Sequence, residues 1–105
     1  MNAIAQTPEP PYFAVIFSSE RSEGDQGYAA MAEKMMNLAG KQPGFLGVET
    51  AREEVGITVS YWRDLESIRK WKQNVEHLEA QKLGRKIWYT AYKLRIAKVE
   101  HDYGH

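Results

Sequence analysis

Apolar and polar positions follow two periods along this chain, and the switches between them mark out six elements. From Tyr12 to Ser19 apolar residues occupy both alternating positions, the pattern of a central strand covered on both faces. Pro10-Pro11 forbid a helix just before it, and residues 1–9 read as a short flexible tail. After a polar loop, Tyr28, Met31, Met35 and Leu38 recur at helical spacing behind Asp25, the expected N-cap. Gly40 and Pro43-Gly44 end that helix.

Phe45–Arg52 and Gly56–Trp62 read as two strands of a hairpin around Glu53-Glu54-Val55. In the second, Ile57, Val59 and Tyr61 form the expected core face, against Thr58, Ser60 and Trp62. Asp64 then caps a helical region with Leu65, Ile68, Trp71, Val75 and Leu78 as its inward stripe. Asn74 marks an expected break into segments 65–73 and 75–87, and Gly84 weakens the second by ~1 kcal/mol relative to alanine. A last strand covers about 89–100, with Tyr92, Leu94 and Ile96 opposing Lys93, Arg95 and Ala97. The order β-α-β-β-α-β predicts an α+β, ferredoxin-like antiparallel sheet with helices on one face. Its other face needs a cover, and the expected one is a second copy in an isologous homodimer.

Composition narrows the function. The chain has 105 residues, one domain's worth, here residues 10–105 behind the tail. Fourteen Lys and Arg balance fourteen Asp and Glu, so no global field draws nucleic acid or an anionic membrane. The basic clusters Arg69, Lys70, Lys72 and Lys82, Arg85, Lys86 have glutamates nearby and read as solvated faces. No apolar stretch approaches the ~20 residues of a membrane span, and no signal peptide is legible. The absence of cysteine removes disulfides, thiolate metal sites and cysteine nucleophiles, and fits a cytoplasmic protein. Glu76, His77 and Glu79 lack a second histidine, and His101 and His105 sit at a glycine-containing chain end, so no metal site is expected.

Pro43-Gly44-Phe45-Leu46-Gly47-Val48-Glu49 followed by Val59-Ser60-Tyr61-Trp62 resembles the antibiotic biosynthesis monooxygenase (ABM) domain of the dimeric α+β barrel superfamily. Trp71 through His77 to Gln81, Gly84-Arg85, Trp88-Tyr89 and Arg95–Glu100 continue the likeness, over about residues 10–103. The resemblance implies a homodimer with facing sheets and a pocket in each subunit between helices and sheet. It also implies one of several chemistries. Some members oxidise polycyclic aromatic phenols with dioxygen and no metal, flavin or other cofactor, and others oxidise quinols or degrade haem.

Trp71 matches the helical tryptophan of the oxygenases, where it walls a pocket for a planar substrate; a core side chain filling space is the alternative. His77, beside the core stripe, is the candidate catalytic base for a phenolic proton, because its pKa lies near neutrality; an idle surface histidine is the alternative. Phe17, Trp62, Trp88 and Tyr92 complete the candidate substrate-binding set, from twelve aromatics (three Phe, six Tyr, three Trp) that serve a pocket, a core or an interface equally well. Met31, Met35 and Met36 read as helix packing. Arg85 and Arg95 are candidates for an anionic substrate oxygen or for ion pairs. The haem-degrading branch places its iron-ligating histidine where this chain has Gln81, and an asparagine where it has Ser18-Ser19. Three readings follow: a cofactor-independent monooxygenase acting on a small aromatic, a binding domain without chemistry, and, disfavoured by those departures, a haem-handling protein.

Overall fold

Backbone pairing in the computed structural model gives the order β1 (Tyr12–Arg21), α1 (Tyr28–Gly40), β2 (Phe45–Arg52), β3 (Gly56–Trp62), α2 (Leu65–Lys82) and β4 (Tyr89–Val99). The structure describes residues 3–25, 27–82 and 88–105, without the side chains of 77–82. The four strands pair antiparallel in the order β2-β3-β1-β4. This is the ferredoxin-like arrangement, with β1 in the interior, as its continuous apolar run requires.

Strand register determines which side chains share a face. Phe13, Val15, Phe17 and Ser19 of β1 pair with Trp62, Ser60, Thr58 and Gly56 of β3. On the other flank they pair with Lys98, Ile96, Leu94 and Tyr92 of β4. This face meets the helices: Val15 and Trp62 form one buried cluster with Ile68 of α2, and Phe13, Phe45 and Trp71 pack against it. The core side of β3 is therefore the Ser60 and Trp62 side. The more apolar row Ile57, Val59 and Tyr61 faces away from the helices, which reverses the expected orientation.

Local signals set the helix ends. Asp64 Oδ1 accepts the Ser67 N–H at 2.8 Å and starts α2 as expected. In α1 the N-cap is Gly27, and Asp25 acts from two residues upstream, its carboxylate accepting the N–H groups of Gly27 and Ala29 at 2.9 and 3.1 Å. Met31 is buried and Met35 half-buried, whereas Met36 turns outward, 37% exposed. α2 runs unbroken through Asn74, whose amide donates to the Lys70 carbonyl (3.3 Å) and to Gln42 Oε1 (3.4 Å) from the solvent side. An exposed asparagine costs the helix little, so no break forms. Leu65, expected on the inward stripe, is 54% exposed at the first turn. The side chain of Leu78 and the whole of Gly84 and Arg85 lie outside the described residues. On the outer face of α2, Arg69 pairs with Glu66 and Lys72 with Glu76, so that basic cluster is a solvated one.

The segment expected as a tail lies across the helix-free face. Ala5 N–H and Tyr61 O–H donate to the two oxygens of Glu49 at 3.1 and 2.6 Å. Thr7 Oγ1 donates to the Tyr12 hydroxyl at 3.0 Å, and that hydroxyl donates to Asp102 beyond β4. The Tyr12 and Tyr61 rings meet edge to face, 5.9 Å apart. Burial, then the Glu49 hydrogen bond, pushes the Tyr61 phenol up to about 12; burial and Asp102 also raise Tyr12.

Two outcomes follow. Gly44 holds φ +85° between α1 and β2, and a Cβ there would fall 2.1 Å from Ser67 Oγ. Gly44→Ala is expected to cost about 1–3 kcal/mol from the left-handed backbone alone, seen as a lowered midpoint in thermal denaturation. Unfolded phenols ionise near pH 10, so below that pH the stability held by protonated Tyr61 is complete. It is lost as pH rises from 10 towards 12, where the unfolded state releases the proton first. Urea titrations across that window should show a shallower fall for Tyr61→Phe than for the wild type.

Candidate functional site

Four rows of side chains cross the helix-facing side of the sheet, as the strand register sets them. Phe45, Trp62, Phe13 and Lys98 form the first, and Val48, Ser60, Val15 and Ile96 the second. Thr50, Thr58, Phe17 and Leu94 make the third, and Arg52, Gly56, Ser19 and Tyr92 the fourth. α2 covers the centre of the first two through Ile68 and Trp71. The β4 end of the rows stays open: Tyr92, Leu94 and Ile96 are 44, 42 and 47% exposed. An apolar strip on rigid strands, under helices and open to solvent, is the geometry that receives a flat apolar molecule.

The expected substrate-binding residues fall into two groups. Trp62 and Trp71 stack, with ring centroids 6.2 Å apart and planes 25° from parallel. Trp62 has no exposed surface; its indole N–H donates to Ser60 Oγ at 2.9 Å, and Phe45 meets it edge on. Trp71, in front of it, is half-buried. Phe17 and Tyr92 form the second group, 5.8 Å apart, and Tyr89 stands edge on to Phe17 at 5.3 Å. A chain of ring contacts from Tyr89 through Tyr28 leads to Trp88, which is 4% exposed. Arg21 lies over Tyr28, 3.5 Å from its ring centroid, and donates to the Trp88 carbonyl. Trp62 and Trp88 are thus buried supports, Trp71 packs half-buried in front of Trp62, and Phe17 and Tyr92 belong to the open end of the rows.

His77 falls within α2, six residues beyond Trp71, but its side chain lies outside the described residues, as does that of Gln81. Arg95 pairs with Ile16 on the helix-free face and cannot serve this strip. Among the described residues no cluster of histidine and carboxylate side chains could hold a metal ion.

The sequence reading missed a polar end to the same rows. Thr50 and Thr58, directly opposite each other, join hydroxyls at 2.9 Å. Arg52 reaches from β2 over Gly56 and donates to Ser19 on β1, to the carbonyl at 3.4 Å and to the hydroxyl. The available signal was positional: Thr50 and Arg52 follow Val48 at period two before a short hairpin, so they share its face. An open depression of about 200 Å³ is lined by residues including Ser18, Ser19, Glu20, Val55, Tyr92 and Lys93, and so shares Ser19 and Tyr92 with the fourth row. Strand alternation puts Ser18, Glu20 and Lys93 on the helix-free face, while Val55 lies in the turn between β2 and β3.

Comparison with known proteins agrees with this architecture. The family model for antibiotic biosynthesis monooxygenase matches residues 11–83. The uncharacterized protein YqjZ of Bacillus subtilis (strain 168) is 53% identical over 104 residues, 97% of this chain and 91% of that protein. Among solved structures, SnoaB, a cofactor-independent oxygenase from Streptomyces nogalater, superposes with a TM-score of 0.71 at 13% identity, over 89% of this chain and 97% of its own. A conserved protein from Methanosarcina mazei Go1 gives 0.69 at 13% identity, over 83% and 91%. Matched over most of its length in sequence, and in fold across the sheet and helices that build the open strip, the chain belongs to the antibiotic biosynthesis monooxygenase family.

Proposed function

We propose that this protein is a small cofactor-independent monooxygenase that takes a flat aromatic, phenolic or quinol-like molecule onto the helix-facing side of its sheet. One observation carries the reading: Phe17, Tyr92, Leu94 and Ile96 form an apolar surface left open on the helix-facing side of the sheet, with Tyr89 edge on to Phe17. Such a surface binds by burying a planar molecule's faces and by ring stacking, worth about 0.5–1.5 kcal/mol per aromatic pair beyond area burial.

The chemistry then rests on the substrate. Removing its phenolic or activated C–H proton makes it electron-rich enough to reduce dioxygen directly. One oxygen atom becomes a carbonyl on the substrate, which gives up two hydrogens, and the other atom leaves in water. The protein's part is to hold the ring, exclude water and take the proton. His77 is the proposed base. Trp71 is the proposed wall, with Trp62 and Trp88 fixing ring positions from behind. In sequence, the likeness to the ABM family supports this reading; in fold, the likeness to an oxygenase does.

A second reading, a binding domain without chemistry, is favoured by one feature. The helix-facing strand positions carry serine, threonine, arginine and lysine but no carboxylate and no histidine. The assembly proposed under either reading is a homodimer through the helix-free face, where Ile16, Val59 and Ile57 form an apolar row and Ile57 is 45% exposed. No helix among the described residues is long and apolar enough to cross a membrane; a cytoplasmic setting is proposed.

Oxygen uptake separates the readings. With a panel of anthrones, naphthols and quinols, the wild type should consume dioxygen, and His77→Ala should lower the rate by about 10²–10⁴-fold. Binding without uptake across the panel would select the binding domain; unchanged turnover in His77→Ala would remove His77 from the mechanism. Trp71→Ala should weaken binding of the same compounds while leaving the protein folded. Sedimentation should give twice the chain mass, and Ile57→Glu should shift it to a single chain.

A further inference from the structure

The polar end of the cleft carries a charge with no counter-charge among the described residues. The ion pairs among the described residues are Arg63–Asp64, Arg69–Glu66 and Lys72–Glu76, and Arg52 is in none of them. Its position is nonetheless well defined. Gly56 has no side chain, and the Arg52 guanidinium occupies the space a Cβ would take, its central carbon 2.1 Å from that point. From there two of its N–H groups engage Ser19, which is 2% exposed. A guanidinium has five N–H donors, so three remain for another partner.

Beside it, the Thr50 and Thr58 hydroxyls share one hydrogen bond, which uses one of their two hydrogens. Ser19 pairs with Tyr92 and lies two residues from Phe17 on the same face, so these spare donors adjoin the aromatic strip. A fork of N–H groups held by its own strands and paired with no carboxylate among the described residues matches an anionic oxygen in the plane of a bound ring.

We propose that Arg52, seated on Gly56 and steadied by Ser19, forms with Thr50 and Thr58 an anion-recognising end of the cleft. It selects planar ligands that carry a carboxylate or phenolate oxygen. The inference rests on the aromatic-cleft reading above and adds the substrate's charge to it. For an oxygenase the charge has a consequence: a phenolate held by Arg52 would be bound already deprotonated.

Binding of 2-naphthoate and of methyl 2-naphthoate, followed by calorimetry on the full chain, tests it. A phenolate arm uses 2,4-dinitro-1-naphthol, ionised at neutral pH, against its methyl ether. The wild type should prefer at least one anion over its neutral partner by about tenfold or more, and the arm with the larger preference identifies the oxygen. Arg52→Met should abolish that preference with neutral-ligand binding unchanged, which also reports an intact fold. Gly56→Ala keeps the charge but displaces the guanidinium, and should reduce the preference too. Neutral ligands binding as well as anions, or a preference that survives both substitutions, would overturn the role of Arg52 and leave the aromatic cleft standing. Failure of all four ligands to bind the wild type would bring down the cleft reading and this inference together.

Discussion

The register of β1 between β3 and β4 is the constraint on which everything else depends. Side chains alternate across a strand with period two, so a slip of one residue would exchange the two faces throughout. With Val15 opposite Ser60 and Ile96, the face under the helices receives Phe13, Val15 and Phe17, and the Trp62 stack forms beneath α2. The same register sends Tyr12, Ile16 and Arg95 to the other side. Register is strongly specified here because one face has helices to bury against: shifted by one, β1 would offer Ile16 and Ser18 in place of Val15 and Phe17.

Much of this was legible in the sequence. Both hairpin strands have the bounds expected from their turn residues, and β1 takes the interior place that its unbroken apolar run demands. What was not legible has a common physical origin. Period two separates two faces but does not say which one the helices take. In β3 the more apolar row, Ile57, Val59 and Tyr61, looked like the core side. The buried side instead uses one very large residue, Trp62, and two small polar ones. A fully buried indole buries more area than any one aliphatic, and Ser60 stands beside it as the acceptor for the indole N–H. The unbroken α2 has a related cause. Asn74 is a poor helix former on average, but at a solvent-facing position it bonds back to the Lys70 carbonyl and disturbs nothing.

The candidate site divides along the same line. Aromatic residues stand out in a sequence, and Phe17, Tyr92 and Trp71 were accessible from it. An arginine does not stand out, because its role depends on what it reaches. Arg95 and Arg52 are equivalent in composition, yet pairing sends Arg95 to the helix-free face and Arg52 to the cleft. Gly56 decides the rest: any side chain there would fill the seat that the guanidinium occupies.

The two faces also handle their polar groups differently, and the difference bears on function. On the helix-free face a connected set of polar groups is matched: Tyr61 with Glu49, Tyr12 with Asp102 and Thr7, and Glu49 again with the backbone at Ala5. Those bonds join the segments near both chain ends to the sheet. On the helix-facing side, donors outnumber acceptors around Arg52, Thr50 and Thr58, and the apolar strip beside them is uncovered. Folding tends to match polar groups and bury apolar ones, because leaving either undone costs stability. On the reading proposed above, a ligand with an apolar plane and an acceptor edge would complete both at once. An aromatic carrying an anionic oxygen has both.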